Sequence, residues 1–194
     1  MNMSGIIASL GNPIVIYGDP GWVDLTGNTN LAAGVVRKDY NTGYFGDNPS
    51  WFATQTPSNT TYPSTIDIGN ELNSPTDINH YSIEWTGYFS PMSSGNYIFR
   101  TVSDDGSYFW IGTSALAPDF YNMNVNNSGA HGTQPMQGLP VHLTSGKYYP
   151  IRAQFGEIEG GAQMSVEYST DSGYNWTTIS NMVYDSTTSN GFAL

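Results

Sequence analysis

The sharpest alternation in the chain begins at Tyr81. In the run SIEWTGYF, Ile83, Trp85, Gly87 and Phe89 fall on one side, and Ser82, Glu84, Thr86 and Tyr88 fall on the other. This is the period-two pattern of a half-buried strand. A turn at 91–96 follows, and the runs 97–102 and 108–111 predict two more strands, so that three successive antiparallel strands are expected here. Extended patterns resume at 141–143, at 147–155, at 163–169 with Met164, Val166 and Tyr168 on one face, and at 177–184. Nearer the N-terminus, 14–17 and 31–36 are shorter candidates, the first closed by the turn signal Gly18-Asp19-Pro20-Gly21.

Between these runs lie two long polar stretches. Residues 39–73 are crowded with Asn, Thr, Ser, Pro and Gly, yet they carry Tyr44, Phe45, Trp51 and Phe52. Disordered segments are poor in aromatics, so these are loops tacked onto a core. The rings either anchor the loops to that core or stack on a ligand. Residues 117–140 form a second loop, holding Asn122, Asn124, Asn126, Asn127 and His131. A loop of this length in a compact domain is functional or mobile.

Composition turns this pattern into a fold class. The 22 Gly, 11 Pro, 14 Tyr and 8 Phe, set against few helix-forming Lys, Glu and Arg, suit strands joined by turns, and the chain is predicted to be all-β. At 194 residues it fits one domain spanning 1–194, with 185–194 a polar C-terminal tail. Acidic residues outnumber basic ones 16 to 5, for a net charge of −11, which repels nucleic acid and anionic membranes and attracts cations. No stretch has the length of a membrane span. The absence of cysteine excludes disulfides, thiolate zinc sites and cysteine nucleophiles. Residues 1–10 lack the basic start of a signal peptide, so the chain is read as a piece of a longer exported protein or as one exported without a cleaved leader.

Candidate chemistry concentrates in SDDGSYFWI, where Asp104 and Asp105 stand between two predicted strands. The motif alone admits two readings, a solvated hairpin turn or half of a metal site. A second acidic, glycine-rich loop, Gly156-Glu157-Ile158-Glu159-Gly160-Gly161, offers the other half. Calcium takes about six to eight oxygens from carboxylates, amides and backbone carbonyls, more than the Asp pair can give, and the two loops together would supply them if they lie side by side. The glycines would let carbonyls turn inward. His80 and His142 lack zinc-ligand spacing. The segment STDSGYNW at 169–176 matches the Asp box of sialidases, physically a hairpin turn held by Asp171, Gly173 and Trp176. It occurs once, whereas a propeller needs one copy per blade. Neighbouring carboxylates cannot straddle a sugar ring, and no G-x-S-x-G, H-E-x-x-H or Walker pattern is present, so the chain is not expected to be an enzyme.

The run YSIEWTGYFSPMSSGNYIFRTVSDDGSYFWIG resembles the central block of the anthrax protective-antigen-like domain family. That family includes the sugar-binding heads of yeast flocculins, of GLEYA type, and of bacterial adhesins. A second block at 143–162 resembles its S-G-x-Y-Y-P-I-R strand and the following G-G-A. The resemblance implies a β-sandwich of two antiparallel sheets with long ligand-binding loops at one end. It further implies Ca2+ held by Asp104 and Asp105 through a cis peptide, with sugar hydroxyls completing the metal shell. Where the flocculin loop offers an Asn this chain has Gly156 or Glu157, so Glu157 is assigned the side-chain ligand and Ile158, Glu159 and Gly160 the backbone carbonyls. Gln163, His131 and Asn124 are the candidate rim residues for carbohydrate. The implied role is a lectin domain within a longer adhesin, extracellular or at the cell surface, with a mono- or oligosaccharide of cell-surface glycans as partner. Two alternatives stay open: a noncatalytic accessory module of a glycosidase, and a structural or receptor-binding domain of a phage, virus or toxin surface that binds no sugar.

Overall fold

The computed structural model describes residues 18–70 and 79–193. The candidate strand at 14–17 lies outside the described residues. Within them the strands are, in chain order, Leu31–Ala33 (β1), Val36–Tyr40 (β2), Asn59–Thr61 (β3), Asp67–Asn70 (β4), Tyr81–Phe89 (β5), Gly95–Asp104 (β6) and Ser107–Ile111 (β7). They continue with Val125–Asn127 (β8), Gln134–Gln137 (β9), Val141–Leu143 (β10), Tyr149–Glu157 (β11), Gln163–Ser169 (β12), Thr177–Thr178 (β13) and Met182–Asp185 (β14). Two short 3-10 helices, Trp51–Thr54 and Thr113–Leu116, are the only helical segments among the described residues. The protein is all-β, and its strands form two antiparallel sheets.

In the first sheet β5 is central. Strand β11 pairs along its whole length, while β2 and β14 share its other edge; β7 and β8 extend the sheet beyond β11. The second sheet is built on β6 and β12, with β9 and β10 on the far edge of β6 and β4 and β13 on the far edge of β12. Ile83, Trp85, Phe89, Phe109, Ile151 and Phe155 from the first sheet meet Tyr97, Phe99, Met164 and Val166 from the second in one continuous buried core.

The expected meander of three neighbouring strands does not form. Both edges of β5 are already occupied, so β6 starts the opposite sheet, and β7 returns to the first sheet beside β11. The half-buried expectation for β5 also fails, because residues 82–89 are all buried. Its outer face is covered by a second apolar layer of Tyr40, Phe45, Phe52, Tyr108, Trp110 and Ala115, with Tyr44 and Trp51 packed against it. The aromatics of the long loop therefore act as anchors, and ring contacts such as Phe45–Tyr108 at 5.5 Å join the loop to the sheet.

Two predicted strands are each divided. The run 31–36 breaks at Gly34, where φ is +106° and an added Cβ would lie 2.5 Å from the Pro63 carbonyl oxygen. The run 177–184 breaks between β13 and β14, which lie in different sheets. Over its described residues, 185–193, the expected polar C-terminal tail folds back onto the first sheet. Asp185 is buried at the end of β14, and Phe192 returns to pack edge-on against Tyr88, 5.6 Å between ring centroids. The Asp-box segment is the hairpin turn between β12 and β13, in which Asp171 accepts from the Ser169 hydroxyl and the Asn175 amide. Those bonds hold its carboxyl down at about 2.

Candidate metal centre

Strand β6 ends at Asp104 and β7 begins at Ser107, so Asp105 and Gly106 alone carry the chain from one sheet to the other. The motif is therefore a corner between sheets and not a hairpin. The peptide bond joining Asp104 to Asp105 is cis. Asp105 is buried, and Asp104 is half-buried. At the same end of the sandwich β11 finishes with Glu157, whose alternation places it on the same face as Ala153 and Phe155 and which is fully buried. Asp104, Asp105 and Glu157 each offer an oxygen within 4.8 Å of the others.

Backbone amides fix the Asp105 carboxylate from both sides. Its Oδ1 accepts from the His131 N–H at 2.8 Å and its Oδ2 from the Ile158 N–H at 2.9 Å. The stretch 117–140, expected as one long loop, contains β8 and β9, and one amide comes from the 128–133 connection between them while the other comes from the acidic glycine loop, so this single side chain ties both to the corner. Asp104 Oδ2 accepts from the Thr133 N–H at 3.0 Å. The Thr133 hydroxyl lies 3.3 Å from both Asp104 Oδ2 and Gln163 Oε1, either of which can take its one proton. These donors are neutral, so each orients a carboxylate without cancelling its charge.

Four of the five basic side chains have partners away from the corner. Arg37 pairs with Asp39, Arg100 with Glu167 and Arg152 with Glu84, while Lys147 lies over the Trp22 ring. Below the corner, the Ser103 and Ser107 hydroxyls stand 2.7 Å apart, Asn127 donates to Ser103, and Gln134 donates to Asn127. This chain of bonds, largely shielded from water, joins β6, β7, β8 and β9 and stiffens the base of the site. On the outer side, Asp47 Oδ1 accepts from the Tyr44 hydroxyl at 2.7 Å and from the Gly129 N–H at 3.2 Å. Burial, and then the bond to Asp47, pushes the Tyr44 phenol well above its ordinary range. An added Cβ at Gly106 would lie 2.8 Å from that hydroxyl, so the Tyr44–Asp47 pair is seated directly on the corner.

Several candidate residues are thus gathered in one place and others are not. Gln163 stands opposite Asp104 in the β6–β12 register. His131 reaches the site through its amide, while its ring nitrogens lie beside the Gly132 and Asn127 carbonyls. Ile158 contributes its N–H, and Glu159 and Gly160 are exposed just beyond it, Gly160 with φ +100°. Asn124 lies toward the other end of β7, its Oδ1 accepting from the Ile111 N–H. Thr133 and Asp47 belong to the site although the sequence pattern does not pick them out, since both sit in loops without periodicity, and Tyr44, marked in the sequence only as a loop aromatic, joins them through its hydroxyl.

Comparison with known proteins agrees with this architecture. Over 92 residues, 47% of this chain, the sequence is 28% identical to the anti-sigma-I factor RsgI3 of Acetivibrio thermocellus, and the match spans 13% of that relative. The fold superposes on the PA14 domain of the MpAFP antifreeze protein with a TM-score of 0.64 at 16% identity, covering 83% of this chain and 95% of that one. It superposes on the epithelial adhesin 6 A domain of Candida glabrata, solved in complex with Galβ1-3GlcNAc, with a TM-score of 0.60 at 19% identity, covering 81% and 88%. Residues 81–170, the span from β5 through β12 that carries all three carboxylates, match the model of the GLEYA domain.

Proposed function

We propose that this chain is a calcium-dependent carbohydrate-binding domain, noncatalytic, displayed extracellularly or at a cell surface as part of a longer adhesin-type protein. The observation that carries this reading is the convergence of Asp104, Asp105 and Glu157 at a loop-rimmed end of the sandwich. Three carboxylates within 4.8 Å repel one another, and a hard divalent cation is the ligand that turns this cost into attraction. In this reading Asp104, Asp105 and Glu157 hold Ca2+, and backbone carbonyls of Ile158, Glu159 and Gly160 add oxygens. Adjacent sugar hydroxyls would replace water on the ion and donate to the same carboxylates. Gln163 and His131 border the opening, whereas Asn124 would act only through the packing of β7 on β8. The sugar complex of the epithelial adhesin domain, which shares the fold, supports carbohydrate as the ligand class. Binding is favoured over catalysis because the two aspartates are held on one peptide unit, with Asp105 fastened by two amides, and cannot flank a glycosidic bond from opposite faces.

The deciding experiment is a glycan array probed with the full chain in calcium and in chelator, together with calorimetric melting. Calcium should raise the melting temperature and glycan retention should vanish in chelator, with both effects absent in Asp104→Ala/Asp105→Ala. A protein whose melting is indifferent to calcium has no metal site there. A calcium shift without any retained glycan would assign the metal a structural role.

A further inference from the structure

The outer face of the first sheet holds a cavity of about 510 Å³ between β2, the 49–57 segment, the Thr113–Leu116 turn and the C-terminal return at 189–190. A volume of this order suits a small ligand. Its lining includes Lys38, Tyr40, Phe52, Glu84, Leu116 and Arg152. Two of the five basic residues of a chain with net charge −11 therefore line one recess. The recess lies five residues from Glu157 along β11, roughly 17 Å away at strand rise.

The charges in this recess do not close on themselves. Arg152 donates its Nε–H to the Ala115 carbonyl at 2.9 Å and one Nη1–H to Glu84 at 2.5 Å, leaving guanidinium N–H groups without an acceptor among the described residues. Lys38 faces Glu84 across the β2–β5 register, and its ammonium makes no ion pair among the described residues. Glu84 is held further by the buried Gln154 amide at 3.0 Å. The ionised lining thus has two cations and one carboxylate, one negative charge short of neutrality. Tyr40 adds a phenol kept protonated by burial and by nearby Glu84, with no hydrogen bond to its hydroxyl among the described residues. A planar guanidinium is built to take a carboxylate, and the Tyr40 hydroxyl at the edge of its buried ring offers a hydrogen-bond partner to a ligand hydroxyl.

We propose that this cavity binds a small hydroxylated carboxylate of the uronic acid class, through Arg152 and Lys38, independently of the acidic corner. The proposal goes beyond the calcium-dependent reading and does not require it. Calorimetric titration of the full chain with sodium glucuronate and with glucose, each in calcium and in EDTA, tests it. Glucuronate should bind with the same affinity in both buffers, and glucose at least about tenfold more weakly, since charge-assisted hydrogen bonds are lost. Lys38→Met should weaken glucuronate about tenfold or more without lowering the melting temperature. Arg152→Lys should weaken glucuronate likewise through loss of the planar fork, with a lower melting temperature because the bond to the Ala115 carbonyl is lost as well. Failure of glucuronate to bind, equal binding of glucose, or indifference to Lys38→Met overturns the proposal. So does binding that disappears in EDTA, which would place glucuronate at the corner and leave the calcium reading intact.

Discussion

Asp104 and Asp105 are neighbours in sequence with different physical roles. Asp105 is buried and accepts an amide on each oxygen; Asp104 is half-buried and accepts only from Thr133. Asp104→Asn keeps an oxygen for Thr133 and removes one of three crowded charges. Relief of that repulsion is worth on the order of 1–3 kcal/mol at an effective interior dielectric. In EDTA this variant should melt above the wild type, and in calcium below it, because a ligand has been lost. Asp105→Asn sets its new NH2 against the N–H of either His131 or Ile158. It should melt below the wild type in both buffers, by about 2–3 kcal/mol in denaturant titration. The same ordering of both variants in both buffers would show that repulsion at the corner is not what metal relieves. The Asp pair and Glu157 were legible as sequence because acidic residues stood beside glycine at the ends of strongly alternating runs. Thr133 and Asp47 were not, since their membership depends on where two non-periodic loops come to rest.

At the scale of elements, alternation located the long strands β5, β6, β7, β11 and β12 because each buries one face in the shared core. It could not show which strands pair. Asp-Gly between two apolar runs is a hairpin signal, yet here it marks a switch of sheets, because both edges of β6 are filled, one by β12 and the other by β9 and β10. Gly156 shows the same limit. In sequence it belongs to a flexible glycine loop; in the structure it is the penultimate residue of β11, and an added Cβ would lie 2.5 Å from both the Phe45 and Tyr44 rings. Gly156→Ala should therefore destabilise the domain by about 1–3 kcal/mol through overpacking. Because Tyr44 also bonds Asp47 over the corner, the variant should show a smaller calcium-induced rise in melting temperature than the wild type. A variant with wild-type stability and an unchanged calcium response would mean that the aromatic loop yields freely and does not brace the site.

For the whole molecule, the governing quantity is the excess of 16 acidic over 5 basic residues. Such an excess destabilises any compact state by self-repulsion, and added salt relieves it by screening. A specific site relieves it differently, since one bound ion cancels charge where three carboxylates meet, and its effect saturates with occupancy. At a free calcium concentration about one hundred times the dissociation constant, binding to the folded state contributes about 2.7 kcal/mol. For a chain of this size that corresponds to a rise in melting temperature of roughly 5–11 °C. Sodium chloride matched to the same ionic strength should give only the screening part, a small shift that grows gradually with concentration. In Asp104→Ala/Asp105→Ala the calcium and sodium curves should coincide, because only screening remains. If calcium and sodium stabilise the wild type equally at matched ionic strength, the acidic end is a diffuse charged surface, and the corner joining the two sheets serves the fold alone.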